Sequence, residues 1–100
     1  MNEFIEELQF FLQVDFTGEF DDTTLTAAIE QSNEPVVIMW LQVFLNYLDY
    51  PQKTIVRGEW DAVTRDLLSR FQADRGLPVV CPPDKETWKA IQLTNVLNML

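Results

Sequence analysis

The sequence contains no histidine and a single cysteine, Cys81. The first absence removes Ser-His-Asp and Cys-His catalysis, and the two together remove the usual zinc sets, which draw on His or several Cys. No metal or other cofactor is expected. A lone cysteine forms no intrachain disulfide, so packing must hold the fold and nothing marks an oxidising compartment. In its setting, Val80-Cys81-Pro82-Pro83-Asp84, it reads as a loop or buried thiol. Glycine is limited to Gly18, Gly58 and Gly76, each placed where a turn is needed.

Long apolar runs are also missing. The nearest, Val36 to Leu48, is broken by Gln42 and Asn46, short of the roughly 18 residues that span a bilayer. The segment Met1-Asn2-Glu3-Phe4-Ile5-Glu6-Glu7 is acidic where a secretory signal would be basic. The expectation is a soluble chain without a signal peptide, cytoplasmic as synthesised, that reaches a cell wall or a virion only if another system carries it.

Basic residues are absent from the first third. Residues 1–34 carry nine acids and no Lys or Arg, whereas the other 66 carry seven of each sign, so the whole formal charge of −9 is local. Phosphate recognition needs a basic footprint, which excludes nucleic acid, and anionic membrane surfaces are disfavoured in the same way. The acidic face reads either as a solvated surface or as a dock for a basic protein partner.

What is present is ample material for a core: 47% of the one hundred residues are hydrophobic, and 12% of the chain is aromatic. Phe4, Ile5, Leu8, Phe11 and Leu12 recur at helical spacing over residues 3–13. Asp21 or Asp22 can cap a second helix with Leu25, Ala28 and Ile29 inward, ending near Ser32-Asn33-Glu34. Pro35 suits the first turn of a third helix, apolar on nearly every side and therefore central. Its β-branched start leaves a short strand open over residues 36–38. Asp61 caps a fourth helix that ends at Gly76, and Leu77 to Pro83 must be extended. Asp84 caps a fifth, whose apolar surface comes from Trp88, Ile91, Leu93, Val96, Leu97 and Leu100.

The chain repeats itself. Leu8-Gln9-x-Phe11-Leu12 recurs as Leu41-Gln42-x-Phe44-Leu45, and Gly18-Glu19-Phe20-Asp21-x-x-Thr24 as Gly58-Glu59-Trp60-Asp61-x-x-Thr64, with seven extra residues before the second glycine. Asp84-x-x-Thr87-Trp88 is a partial third echo. Physically, the glycine turns the chain, the aromatic plugs the loop into the helix pair and the aspartate caps the next helix, supported by Thr at the third helical position.

With these residues in register, the chain resembles the peptidoglycan-binding domain family. The resemblance rests on Leu41-Gln42-Val43-Phe44-Leu45, Tyr50, Val56 to Thr64, Phe71-Gln72-Ala73-Asp74-Arg75-Gly76-Leu77 and Glu86-Thr87-Trp88. It covers about residues 38–92. It departs from the family pattern in its loops: Arg57 and Val80 stand where Asp is usual, Cys81 where Gly is usual, and Asp61 and Asp84 replace glycines.

The expected architecture is an all-α, five-helix orthogonal bundle forming one domain over 1–100. An acidic helix–loop–helix half-repeat (1–34) precedes a three-helix peptidoglycan-binding-like unit (35–92) and an apolar extension (93–100). The resemblance implies a non-catalytic module that binds peptidoglycan stem peptide or glycan, as in the targeting parts of cell-wall hydrolases or phage lysis and tail proteins. The rival reading keeps the scaffold for protein–protein interaction, as an assembly component or acidic inhibitor. Asp21-Asp22 and Glu6-Glu7 read as caps and solubilising charge, and Trp40, Trp60 and Trp88 as core. Candidate ligand contacts are the polar groups beside the loops: Tyr47, Tyr50, Arg57, Asp74, Arg75 and Lys85. Arg is suited to carboxylates of a stem peptide.

Overall fold

Helices arise where apolar periodicity meets a capping side chain or a first-turn proline. In the computed structural model, which describes residues 2–94 and Leu97, they are α1 (Glu3–Leu12), α2 (Asp22–Glu30), α3 (Pro35–Tyr47), α4 (Ala62–Asp74) and α5 (Lys85–Leu93), with no strand among the described residues. Asn2 caps α1 by accepting from the N–H groups of Phe4 and Ile5. Asp21, not Asp22, caps α2, while Asp61 and Asp84 cap α4 and α5. Gly76, at φ +70°, closes α4: its N–H donates to Ala73 O and that of Leu77 to Gln72 O, the paired bonds of a Schellman motif.

Residues 36–38 continue the helix that Pro35 starts, which closes the alternative of a short strand and places Val37 and Ile38 in the interior. One expectation is corrected. The fifth helix stops at Leu93 instead of running to Leu100: Thr94 is extended, and Leu93 is 80% exposed instead of facing inward. In the tail, Leu97 is buried and its carbonyl accepts from the Asn2 side chain. Val96 and Leu100 lie outside the described residues.

Helix α3 is central, with α1 and α4 against it, while α2 packs on α1 and α5. Trp40 on α3 stacks on Phe4 at 4.4 Å and on Phe44 at 6.1 Å, and its ring centroid is 6.3 Å from that of Trp88. Both indoles are fully buried, so each N–H needs an acceptor. Trp40 donates to Phe4 O at 2.7 Å and Trp88 to Ser32 Oγ at 2.9 Å. The acidic first third thus supplies the partners of both tryptophans. Trp60 is half-buried and donates to Asn33.

The loops are locked by three buried glutamines. Gln9 accepts the N–H groups of Thr17 and Gly18 at 3.0 and 3.1 Å, and donates to Glu19 O and Thr24 Oγ1. Gln42 repeats this, accepting from Arg57 and Gly58 at 3.0 and 2.9 Å and donating to Glu59 O and Thr64 Oγ1. Gln72 accepts from Val80 N and donates to Val80 O and Thr87 Oγ1. In each copy the threonine hydroxyl and N–H both donate to the capping aspartate. The amide is suited to the task because one end accepts and the other donates twice. Among the described residues no buried side-chain polar atom lacks a partner.

The seven-residue insertion of the second copy is tied down separately. Asn46 pairs with both backbone groups of Thr54, at 2.8 and 2.9 Å, and Lys53 donates to the carbonyls of Leu48 and Tyr50. The hydroxyls of Thr54 and Thr64 are 2.5 Å apart, which joins the insertion to the lock.

Two expected outcomes test this geometry. Gly58 and Gly76 both have positive φ, yet a Cβ at Gly58 would lie 2.8 Å from Pro35 O whereas one at Gly76 meets nothing within 4 Å. Gly76→Ala should cost about 1 kcal/mol from backbone strain alone, and Gly58→Ala roughly 3 kcal/mol from strain plus overpacking, read by urea unfolding. Equal losses would contradict the close approach. Hydrogen bonds from Thr24 and Thr64 hold the carboxyls of Asp21 and Asp61 below the usual 3.8. Their stabilisation is therefore complete above about pH 4 and lost as pH falls through the lowered values. The melting temperature should drop below about pH 4, and Asp21→Asn/Asp61→Asn should flatten that drop.

Candidate ligand-binding groove

Three prolines keep residues 77–83 extended, and the Gln72 side chain clasps that segment to α4 through both backbone groups of Val80. Between them lies an open groove of about 340 Å³, lined on α4 by Arg65, Asp66, Leu68, Ser69 and Gln72 and on the segment by Val79, Val80 and Cys81. Arg65 donates from Nε to Trp60 O at 2.8 Å. Its terminal amino groups have no partner among the described residues. Asp66 is paired with Arg70 at 3.1 Å, so the arginine is the cation left for a ligand. Val79 and Val80 form an apolar wall exposed to solvent.

Cys81 is an exposed loop thiol. Partial burial pushes its pKa up and Arg65 offsets part of that rise. It is therefore protonated at neutral pH, unlike the thiolate a nucleophilic cysteine requires.

The repeat explains why the groove opens at this place. Seven residues before each lock glutamine stand Asn2, Pro35 and Arg65, and three before stand Glu6, Met39 and Ser69. In the second unit Pro35 and the Met39 side chain close on Gly58, within 3.2 Å of a Cβ built there. In the first unit the corresponding groove, beside Asn2, Ile5 and Gly18, is also lined by Phe20 and Leu97. Only the third unit places an arginine and a serine there.

None of the six residues expected to contact a ligand lines this groove. Three of them form a group of their own at the end of α4. Tyr50 donates to Asp74 at 2.6 Å, and Arg75 lies over the Phe71 ring at 5.0 Å. Burial, followed by the bond to Asp74, raises the Tyr50 pKa to about 12, so it remains a donor at neutral pH. Arg57 is engaged by Asp61 at 3.4 Å. Tyr47 and Lys85 are exposed, at the end of α3 and the start of α5. Sequence reasoning did not bring Arg65, Ser69, Val79 and Val80 together. The available signal was their register against the lock glutamines.

Comparison with known proteins agrees with the fold. Residues 37–91 match the family described as "Putative peptidoglycan binding domain", a span that runs from α3 into α5 and contains every residue of the groove. No curated protein and no solved structure matches the chain. The match extends over more than half of the sequence and agrees with an all-α bundle. The chain therefore belongs to the peptidoglycan-binding domain family.

Proposed function

We propose that the chain is a non-catalytic module for peptidoglycan, and that the groove beside Arg65 receives a short peptide stem of the cell wall. Such stems carry carboxylates and small methyl-bearing side chains. A guanidinium binds carboxylates through two parallel bonds, and Val79 and Val80 offer a surface for methyl groups. The observation that carries the reading is this juxtaposition, one available arginine beside an exposed apolar wall, inside the family-matched span. A non-catalytic role is supported by the loop aspartates, since Asp21, Asp61 and Asp84 are all committed as helix caps. Arg75 is a weaker candidate because it lies outside the groove and is stacked on Phe71.

Sedimentation with purified cell-wall sacculi tests the proposal. The protein should be depleted from solution, Arg65→Glu should weaken binding on the order of tenfold, equivalent to about 1.4 kcal/mol, and Arg75→Ala should bind as the parent does. Depletion no greater than that of an inert control protein would overturn the function. Binding unchanged by Arg65→Glu would overturn the site.

A further inference from the structure

We infer that an aromatic knuckle at the end of α1 is a docking surface for a basic, amphipathic segment of another protein. Phe10 and Phe16 are 63% and 58% exposed, with ring centroids 6.2 Å apart, and Phe10 meets Phe11 edge-on at 5.9 Å. Phe11 packs against the core, but Phe10 and Phe16 do not. Folding therefore gives no reason for two large aromatics to stand together in water, and contiguous exposed apolar surface of this kind marks interaction sites. The pair is specific to the first unit: the residue after the lock glutamine is Phe10 there but Val43 and Ala73 in the others, and Phe16 corresponds to Val56 and Val79.

Charge selects the partner. Glu6 and Glu7 precede Phe10 by one helical turn, and Asp15 adjoins Phe16. No Lys or Arg occurs in residues 1–34, and α2 and α3, the helices packed on α1, contain none. A second copy docking through the same face would set these acids against themselves, and an anionic lipid surface would be repelled. A segment with apolar side chains on one face and Lys or Arg beside them satisfies both features, and its charge also hastens encounter. This surface is separate from the groove beside Arg65 and independent of wall binding.

The test is an amide chemical-shift titration of the full chain with three synthetic peptides. One is amphipathic, with leucines on one helical face and lysines and arginines on the other. A second replaces its basic residues by glutamate, and a third replaces its leucines by serine. The basic amphipathic peptide should bind, shifting resonances around Phe10 and Phe16, and the other two should bind at least tenfold more weakly. Phe10→Ser/Phe16→Ser and, separately, Glu7→Lys/Asp15→Lys should each weaken binding at least tenfold while leaving sacculus binding unchanged. If the phenylalanine variant does not fold, the charge variant decides alone.

Absence of binding by the basic amphipathic peptide overturns the proposal, as does equal binding by either control peptide. Concentration-dependent dimerisation abolished by Phe10→Ser/Phe16→Ser would assign the knuckle to a second copy. Lipid-vesicle binding abolished by the same change would assign it to a membrane. Either result overturns the basic-protein reading.

Discussion

The backbone polar groups that a loop turns toward the interior must be satisfied without the help of a helix or sheet ladder. In this chain that constraint falls on the side chains of Gln9, Gln42 and Gln72, each projecting from one helix to hold the turn leading to a later one. The lock reaches the cap through threonine: the glutamine amide donates to the hydroxyl, and the hydroxyl donates to the aspartate. Turn, cap and helix packing are thus one hydrogen-bonded unit, used three times. Glutamate or leucine could not replace these residues, because the first lacks the donor and the second lacks both functions.

The same unit explains how the acidic first third relates to the family-matched span. It provides Phe4 O from α1 for Trp40 and Ser32 Oγ from the turn after α2 for Trp88, and Gln92 donates back to Phe20 O. Two large indoles of the matched span are therefore completed by residues outside it. The first third closes the core and carries the excess negative charge, while the groove and its arginine belong to the third unit.

Much of the fold was legible because caps and apolar spacing are local. Asp61, Asp84, Pro35 and Gly76 mark helix ends as single residues, and the all-round apolar α3 could only be central. The lock was half legible. Gln9 and Gln42 showed as repeated letters, but Gln72 was hidden because Cys81 replaces the glycine of its loop, although its spacing to Asp84 and Thr87 equals that from Gln9 to Asp21 and Thr24. The groove was not legible, because it depends on what small residues leave open. Ser69 takes the place that Met39 fills in the second unit, and Arg65 in mid-helix reads as ordinary surface. Choosing polar side chains near loops selected Tyr50 and Asp74, which do meet, and Arg75, which stacks on Phe71, all around the end of α4.

Native-state hydrogen exchange reads the lock most directly. The amides of Gly18, Arg57 and Gly58 lie in loops and bond only to glutamine side chains, so each reports on one lock. They should exchange with protection approaching that of the interior amides of α3, through opening of the whole molecule. Exchange at the rate of an unstructured peptide, with α3 still protected, would contradict the claim that the glutamines hold these turns.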